Sequence, residues 1–223
     1  MPNNTEELHR AEPTMREFSA KVVAIHPDGS IELDRSAFYA QSGGQIGDRG
    51  RLDGIEIVDT IYSTDKSAVL HRAAPGLAID LDVGRRVEGK IDWARRDAAM
   101  RLHTAQHLLV VAVYDLYGPV PLAGGGDINV DKARVDFAWT ANDAPLDADA
   151  VADRLCQLIA EDLPVERAAD AADPGKWWWT IPGFDPIPCG GTHVASTGEV
   201  GLVEVAQQRK GSKALRLTAR LKP

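Results

Sequence analysis

The sequence has no apolar run that approaches the ~18 residues needed to cross a bilayer, so we expect no membrane partner. Its N-terminal 20 residues lack the apolar core of a secretion signal, which predicts a cytoplasmic protein. Only two cysteines occur among 223 residues, too few for the disulfide framework of a small secreted domain. The net charge of −8 disfavours general nucleic-acid binding, because such binding depends on summed positive charge. What remains is an ordinary globular protein of one or two domains.

The first part of the chain, residues 15–90, has no helical periodicity. Short alternating apolar runs are separated by turn signals such as Pro27-Asp28-Gly29. Several short strands at this spacing predict a small β-barrel or sandwich. The predicted strands are Lys21–Ile25, Ile31–Leu33, Ile55–Tyr62, Ser67–His71 and Gly84–Ile91.

A long helix-like pattern follows and changes the character of the chain. It begins at Asp92, a plausible N-cap, continues to Tyr117 and stops at Gly118-Pro119. We therefore predict a barrel domain over 1–91 and a second domain over 92–223, in which helices pack on an antiparallel sheet. The expected fold class is α+β: a small N-terminal β-barrel, then a two-layer α/β domain with two long helices. The remaining predicted elements are a helix over 147–163 and strands over 131–139, 176–181, 199–207 and 213–221.

Two compact pairs of metal-ligating residue types stand out in the second domain. His103 and His107 are four residues apart in the predicted helix, so both imidazoles lie on one face. Cys189 and His193 flank two glycines and a threonine near the C-terminus. Since the chain has only six histidines and two cysteines, the combination is more specific than either pair alone. Imidazole and thiolate ligands in this number suit zinc, and we predict one zinc ion per chain.

Two familiar classes of zinc site do not fit. Zinc peptidases with two helical histidines carry a glutamate general base directly after the first one, where this chain has Thr104. Structural zinc ribbons use Cys-x2-Cys loops rather than a pair inside a long helix. The other cysteine, Cys156, falls in the second helical pattern and is interpreted as a small thiol at the edge of the core. The Trp177-Trp178-Trp179 run is interpreted as strand residues buried against a helix, with a base-stacking surface as the alternative.

Three segments together resemble the alanyl-tRNA editing family, which comprises the editing domain of alanyl-tRNA synthetase and the free-standing AlaX proteins. They are H-T-A-Q-H-L-L, C-G-G-T-H-V and the glycine-rich F-Y-A-Q-S-G-G-Q-I-G-D-R-G, which begins at Phe38. The resemblance extends from about Ser36 to the C-terminus, and the glycine-rich segment ahead of the histidine helix is similar to the medium-length AlaX form.

The resemblance implies hydrolysis of a wrongly attached amino acid from tRNA(Ala), chiefly serine and also glycine. It implies mischarged tRNA(Ala) as the partner, with no obligatory protein partner. Thr104 would recognise the serine hydroxyl, and Gln45 would share a catalytic role with it. The implied residues are metal ligands His103, His107, Cys189 and His193; substrate-binding Gly43, Gly44, Gln45 and Thr104; and tRNA-binding Arg209, Lys210, Arg216 and Arg220.

Two alternatives stay open from the sequence. One is a non-catalytic zinc module that binds tRNA or a synthetase. The other keeps the hydrolase but moves the substrate to another aminoacyl ester or a small amide.

Overall fold

The protein divides into two compact units. The computed structural model describes residues 5–77, 79–140, 143–173 and 175–222. The first unit comprises Met1–Ser42 and Ile46–Asp97, and the second comprises Gly43–Gln45 and Ala98–Pro223. Three residues of the glycine-rich segment therefore belong to the second unit. No helix in the described part of the chain combines the length and apolarity that crossing a membrane requires.

The first unit is built around a closed barrel of six antiparallel strands, in the order β2-β3-β7-β6-β5-β8. Apolar side chains that alternate along the strands, such as Phe18, Ile31 and Leu52, fill its core. The predicted barrel is confirmed. The strands of this unit are β1 (Glu6–Glu7), β2 (Glu17–Ile25), β3 (Ser30–Leu33), β4 (Arg35–Ser36), β5 (Gly50–Leu52), β6 (Ile55–Tyr62), β7 (Val69–Ala73) and β8 (Arg86–Ile91).

Three of these strands had no sequence signal. β1 and β4 have two residues each and pair in parallel outside the barrel. β5 has only three residues, and its first residue, Gly50, passes close to a neighbouring strand: a Cβ there would lie 2.1 Å from the carbonyl oxygen of Lys90. Segments this short carry too few side chains to display an alternating pattern.

The described residues of the second unit form two α-helices and two antiparallel sheets, with strand orders β14-β15-β10-β9 and β11-β12-β13. Both predicted helices are confirmed. The elements are α1 (Trp93–Tyr117, which begins in the first unit), β9 (Asp127–Ile128), β10 (Ala133–Ala138), α2 (Ala148–Ala160), β11 (Glu166–Ala169), β12 (Trp177–Thr180), β13 (Ile187–Pro188), β14 (Val203–Lys210) and β15 (Ala214–Leu221).

The central part of α1 is buried on every side. All residues from Leu102 to Val113 are buried, polar ones included. A helix in this position needs partners for each polar side chain, because an unpaired buried polar group is costly. The two histidines of α1 are therefore held inside the protein.

One predicted strand is wrong at its start. Residues Thr197–Val200 form a turn of 3-10 helix, and β14 begins only at Val203. The turn is tied to the end of α2: the Thr197 hydroxyl donates to the Leu158 carbonyl (2.6 Å) and accepts from the Leu163 amide (2.9 Å). These bonds are made with residues far away in sequence, so local alternation could not reveal them.

Candidate metal centre

Four side chains from two distant parts of the second unit converge. His103 and His107 lie one turn apart on α1, and Cys189 and His193 lie on the loop that follows β13. Their ligand atoms all lie within 4.8 Å of one another. The three histidines are 4%, 6% and 1% exposed in chain order, and Cys189 is half-buried. The cluster could hold a metal ion.

The atoms that face one another are imidazole nitrogens and the thiol sulfur. Cys189 Sγ lies 3.5 Å from His103 Nε2 and 3.2 Å from His193 Nε2. The His103 ring centroid lies 5.1 Å from that of His107 and 4.2 Å from that of His193. The two Nε2 atoms thus point at the sulfur across a shared centre.

Burial controls the protonation of the cluster. It lowers the pKa of His107 to about 3. Burial first, then the neighbouring histidines and the positive charge of Arg167, lower the pKa of His103 and His193 well below the ordinary value. Burial also raises the pKa of the Cys189 thiol, against the opposing effects of the Gly191 amide and Arg167. The imidazoles are therefore neutral at physiological pH, which is the form that binds a metal.

Two of the three imidazoles have polar partners on the side away from the sulfur. His103 Nδ1 lies 2.8 Å from Gln45 Oε1, and His193 Nδ1 lies 3.1 Å from Thr104 Oγ1. His107 differs, because its buried Nδ1 has no hydrogen-bond partner among the described residues. Hydrogen bonds therefore fix the rings of His103 and His193, whereas the ring of His107 packs against Trp179.

Two glycines permit the close approach on which this arrangement depends. A Cβ on Gly191 would lie 2.2 Å from His103 Cε1 and 2.9 Å from Gln45 Oε1. A Cβ on Gly44, whose φ is +87°, would lie 2.3 Å from the carbonyl oxygen of Gly126. Larger residues at either position would push the backbone away from the cluster.

The strand β12 lies beside the loop that carries Cys189 and His193, which we call the cysteine loop. Trp179 is fully buried, and its ring centroid is 4.7 Å from that of His107. The Trp177 carbonyl accepts the amide of Cys189 (2.8 Å), and the Arg167 guanidinium lies over the Trp177 ring at 5.3 Å from its centroid. Trp178 is half-buried, with the Lys176 ammonium 4.1 Å from its ring centroid. The prediction of buried tryptophans is therefore correct in full for Trp179 alone.

The chain is similar to proteins that edit alanyl-tRNA. It is 32% identical over 213 residues to the alanyl-tRNA editing protein AlaX-M of Pyrococcus horikoshii, which covers 92% of this chain and 91% of the relative. The chain belongs to the alanyl-tRNA editing protein family. The AlaX-M protein of Methanosarcina acetivorans is 31% identical over 96% of this chain and 97% of its own length. The predicted family resemblance is confirmed.

Other members and family models agree with the editing-family assignment. The alanine–tRNA ligase of Halorhodospira halophila is 31% identical over 81% of this chain, which corresponds to 23% of the ligase. Residues 5–95 match the model described as tRNA synthetases class II (A). Residues 180–218 match the threonyl and alanyl tRNA synthetase second additional domain, which contains both Cys189 and His193.

The remaining predicted site residues of this editing-family protein lie in two places. Gly43 and Gly44 are exposed, each with positive φ, while Gln45 and Thr104 are fully buried. Lys210 and Arg220 are exposed at the two ends of the β14–β15 pair. Arg216, in contrast, makes a two-pronged ion pair with Asp136 (2.7 and 2.8 Å), and Arg209 Nη1 donates to the Trp139 carbonyl (3.1 Å).

Sequence reasoning did not connect three residues with the centre that they shape. Thr192 bonds Gln45, Trp179 packs on His107, and Arg167 places a positive charge near the cluster. Thr192 lies inside the recognised C-G-G-T-H-V segment, which was a usable signal. Arg167 is on β11, a strand that was not predicted, and no local pattern links it to the centre.

Proposed function

We propose that this protein is a trans-editing hydrolase that deacylates mischarged tRNA(Ala), chiefly Ser-tRNA(Ala) and also Gly-tRNA(Ala). The bond cleaved is the ester between the amino-acid carboxyl and a ribose hydroxyl of the terminal adenosine. Family membership supports the editing role, and the buried cluster of three imidazoles and one thiol is the observation that carries the chemistry.

Zinc is the proposed ion. A tetrahedral zinc with Zn–N of ~2.0 Å and Zn–S of ~2.3 Å separates sulfur from nitrogen by about 3.5 Å. The Sγ–Nε2 distances of 3.5 and 3.2 Å are compatible with that value. The donor set contains no carboxylate, and nitrogen with sulfur favours zinc over magnesium or calcium. When bound, zinc would supply a positive centre that polarises the ester carbonyl or a water molecule.

Thr104 is the residue that we assign to recognition of the serine hydroxyl. If His193 binds the metal through Nε2, its Nδ1–H donates to Thr104 Oγ1, which lies 3.1 Å away. The hydroxyl also accepts from the Val194 amide at 3.4 Å. Its own proton is then left to donate to a substrate oxygen. Serine offers a hydroxyl acceptor there and alanine does not, so an alanyl ester would leave this donor unsatisfied.

Gly43 and Gly44 are proposed to line the substrate pocket. They precede Gln45, whose side chain reaches His103, so their backbone leads directly to the centre. Substrate backbone or ribose groups can approach glycine closely because it has no side chain.

The tRNA body is proposed to contact the basic end of the chain. Lys210 and Arg220 are exposed and suit phosphate contacts, and Arg209 is exposed beside Lys210. Arg216 could bind phosphate only in competition with Asp136, so its contribution should be the smallest of the four.

The decisive experiment is a deacylation panel. Purified protein is incubated with Ser-, Gly- and Ala-tRNA(Ala), and with a different tRNA charged with serine, in the presence and absence of a chelator. We expect release of serine and glycine from tRNA(Ala), sparing of alanine, and loss of both activities with the chelator. If every aminoacyl ester survived incubation with the zinc-loaded protein while the charged tRNA shifted on a gel, the non-catalytic binding module would be favoured instead. Equal turnover of all the esters would point to a general aminoacyl esterase.

A further inference from the structure

The glycine-rich segment places one side chain inside the metal centre. Gln45 is 0% exposed, and its amide makes three short polar contacts. Its Nε2 donates to Thr192 Oγ1 (2.8 Å), its Oε1 accepts the backbone amide of Thr192 (3.0 Å), and the same oxygen lies 2.8 Å from His103 Nδ1. One residue thus joins the glycine-rich segment, helix α1 and the cysteine loop.

The backbone contact fixes which way the amide group faces. A backbone N–H can only donate, so the Gln45 atom facing Thr192 N must be the oxygen. That oxygen carries no hydrogen. The contact with His103 Nδ1 is therefore a hydrogen bond only if Nδ1 carries the ring proton. The lone pair of the neutral ring is then on Nε2, which is the atom 3.5 Å from Cys189 Sγ.

We propose that Gln45 is a positioning residue of the metal centre, which holds His103 in the one tautomer and ring orientation that presents Nε2 to the ion. This rests on the metal site of the proposed function. Gln45 would act on the ion through His103, because its amide group is bonded to Thr192 and contacts His103. This role is distinct from the catalytic and substrate-binding roles that the resemblance implies for Gln45. Partners of this kind typically change metal affinity about 10- to 100-fold when removed.

The other two histidines lack an equivalent constraint. Thr104 can donate to or accept from His193 Nδ1, so that contact leaves the tautomer open. His107 Nδ1 has no partner in the described part of the chain, and the ring rests on Trp179. Gln45 is therefore the residue whose loss should have the clearest effect on the tautomer of a ligand.

The test measures zinc affinity by chelator competition, without tRNA, for wild type, Gln45→Met and Gln45→Glu. Methionine keeps the approximate size of the side chain but removes the acceptor, whereas glutamate keeps an acceptor for both N–H groups. We expect Gln45→Met to bind zinc about 10- to 100-fold more weakly. Gln45→Glu should stay close to wild type. Nitrogen-15 NMR of the zinc-loaded protein should find the His103 proton on Nδ1 in the wild type and in Gln45→Glu.

Gln106 offers a matched control. Like Gln45 it is buried, but it lies on α1, and its amide donates to the Arg134 carbonyl and is bonded to no histidine of the cluster. Gln106→Met should leave zinc affinity unchanged. The inference is overturned if Gln45→Met binds zinc as tightly as wild type, if Gln106→Met weakens zinc equally, or if His103 carries its proton on Nε2. A wild-type protein that binds zinc with the expected tautomer but leaves Ser-tRNA(Ala) intact would instead overturn only the proposed activity.

Discussion

Each of the two units contains a buried polar cluster, and the clusters differ in whether the protein satisfies them itself. In the first unit, the guanidinium of Arg96 is 0% exposed and forms an ion pair with Asp48. It also donates to the carbonyls of Pro13 and Ala37, and Asp48 accepts the Tyr39 amide (2.6 Å). Charge is balanced and the donors have protein acceptors, so nothing further is needed to stabilise this cluster.

The cluster in the second unit has no ion pair of this kind. Its three imidazoles and one thiol present ligand atoms to one another within 4.8 Å, and no described carboxylate takes part. Lone pairs that converge on one point repel each other unless a cation or a proton lies between them, and the single thiol proton of Cys189 can be donated to only one imidazole at a time. The comparison shows that burial of polar groups alone does not identify a functional site, whereas convergence of several ligand atoms without a counter-charge from the protein points to one.

Removal of a metal ligand is expected to abolish both zinc binding and activity. Cys189→Ala deletes the only sulfur donor of the cluster, so stoichiometric zinc and deacylation of Ser-tRNA(Ala) should both disappear. Metal content and single-turnover rates measure this. Cys156→Ala is the control, because that free thiol is exposed on α2 and should be replaceable without effect. Full zinc occupancy in Cys189→Ala would mean that the cluster is not the metal site.

Disruption of the Arg96–Asp48 cluster should lower the stability of the protein without changing its metal binding. Asp48→Asn keeps the size of the side chain but leaves the buried Arg96 charge uncompensated, which should cost about 3–5 kcal/mol of unfolding free energy. Urea denaturation measures this change. Glu17→Gln, in an exposed pair with Lys90, should have no measurable effect. If folded Asp48→Asn lost its zinc, the contrast between the two clusters would break down.

Acid should weaken the first unit through His71. Burial lowers the pKa of His71 to about 4, while its ring contacts Ser36 Oγ (2.7 Å) and the Ile31 carbonyl (2.9 Å). Because the folded pKa is below the ordinary value of 6.5, the unfolded chain takes up the proton first as pH falls. Stability is therefore fully present above about pH 6.5 and is lost towards pH 4, by about 3 kcal/mol.

The check is urea denaturation of wild type and His71→Gln across this pH range. The histidines of the metal centre titrate in both proteins, so the difference between the two curves isolates His71. The variant should be less stable at neutral pH and less sensitive to acid. Parallel curves would show that His71 is not a neutral buried group.

The smallest expected effect is on substrate discrimination. Thr104→Val keeps the shape but removes the hydroxyl. The free-energy discrimination between seryl and alanyl esters, calculated from their ratio of kcat/KM, should therefore fall by roughly 1–3 kcal/mol. The measurement is made at saturating zinc, since His193 also loses its partner. Thr104→Ser should retain the ratio. If Thr104→Val kept it as well, Thr104 would serve only His193 and would have no contact with the substrate.

The sequence predicted the features that depend on neighbouring residues. The end of α1 at Tyr117 could be predicted from Gly118 and Pro119, and the shared face of His103 and His107 from helical geometry. Alternation likewise located most barrel strands. It did not locate the short β5, nor the 3-10 turn at Thr197, which distant residues hold in place.

By itself, the sequence determined the family, the α+β class and the residue types of the centre, because motifs and periodicities are local. Only the tertiary structure decided that Gln45 contacts Nδ1 of His103 and that Thr104 contacts Nδ1 of His193. It also decided that the His107 ring packs against Trp179. Gln45 is 147 residues from Thr192 in the sequence. Their contact requires a glycine at position 191, because a larger residue would keep the two segments apart. The orientation of a side chain across such a separation depends on how the whole unit packs, and no local pattern encodes it.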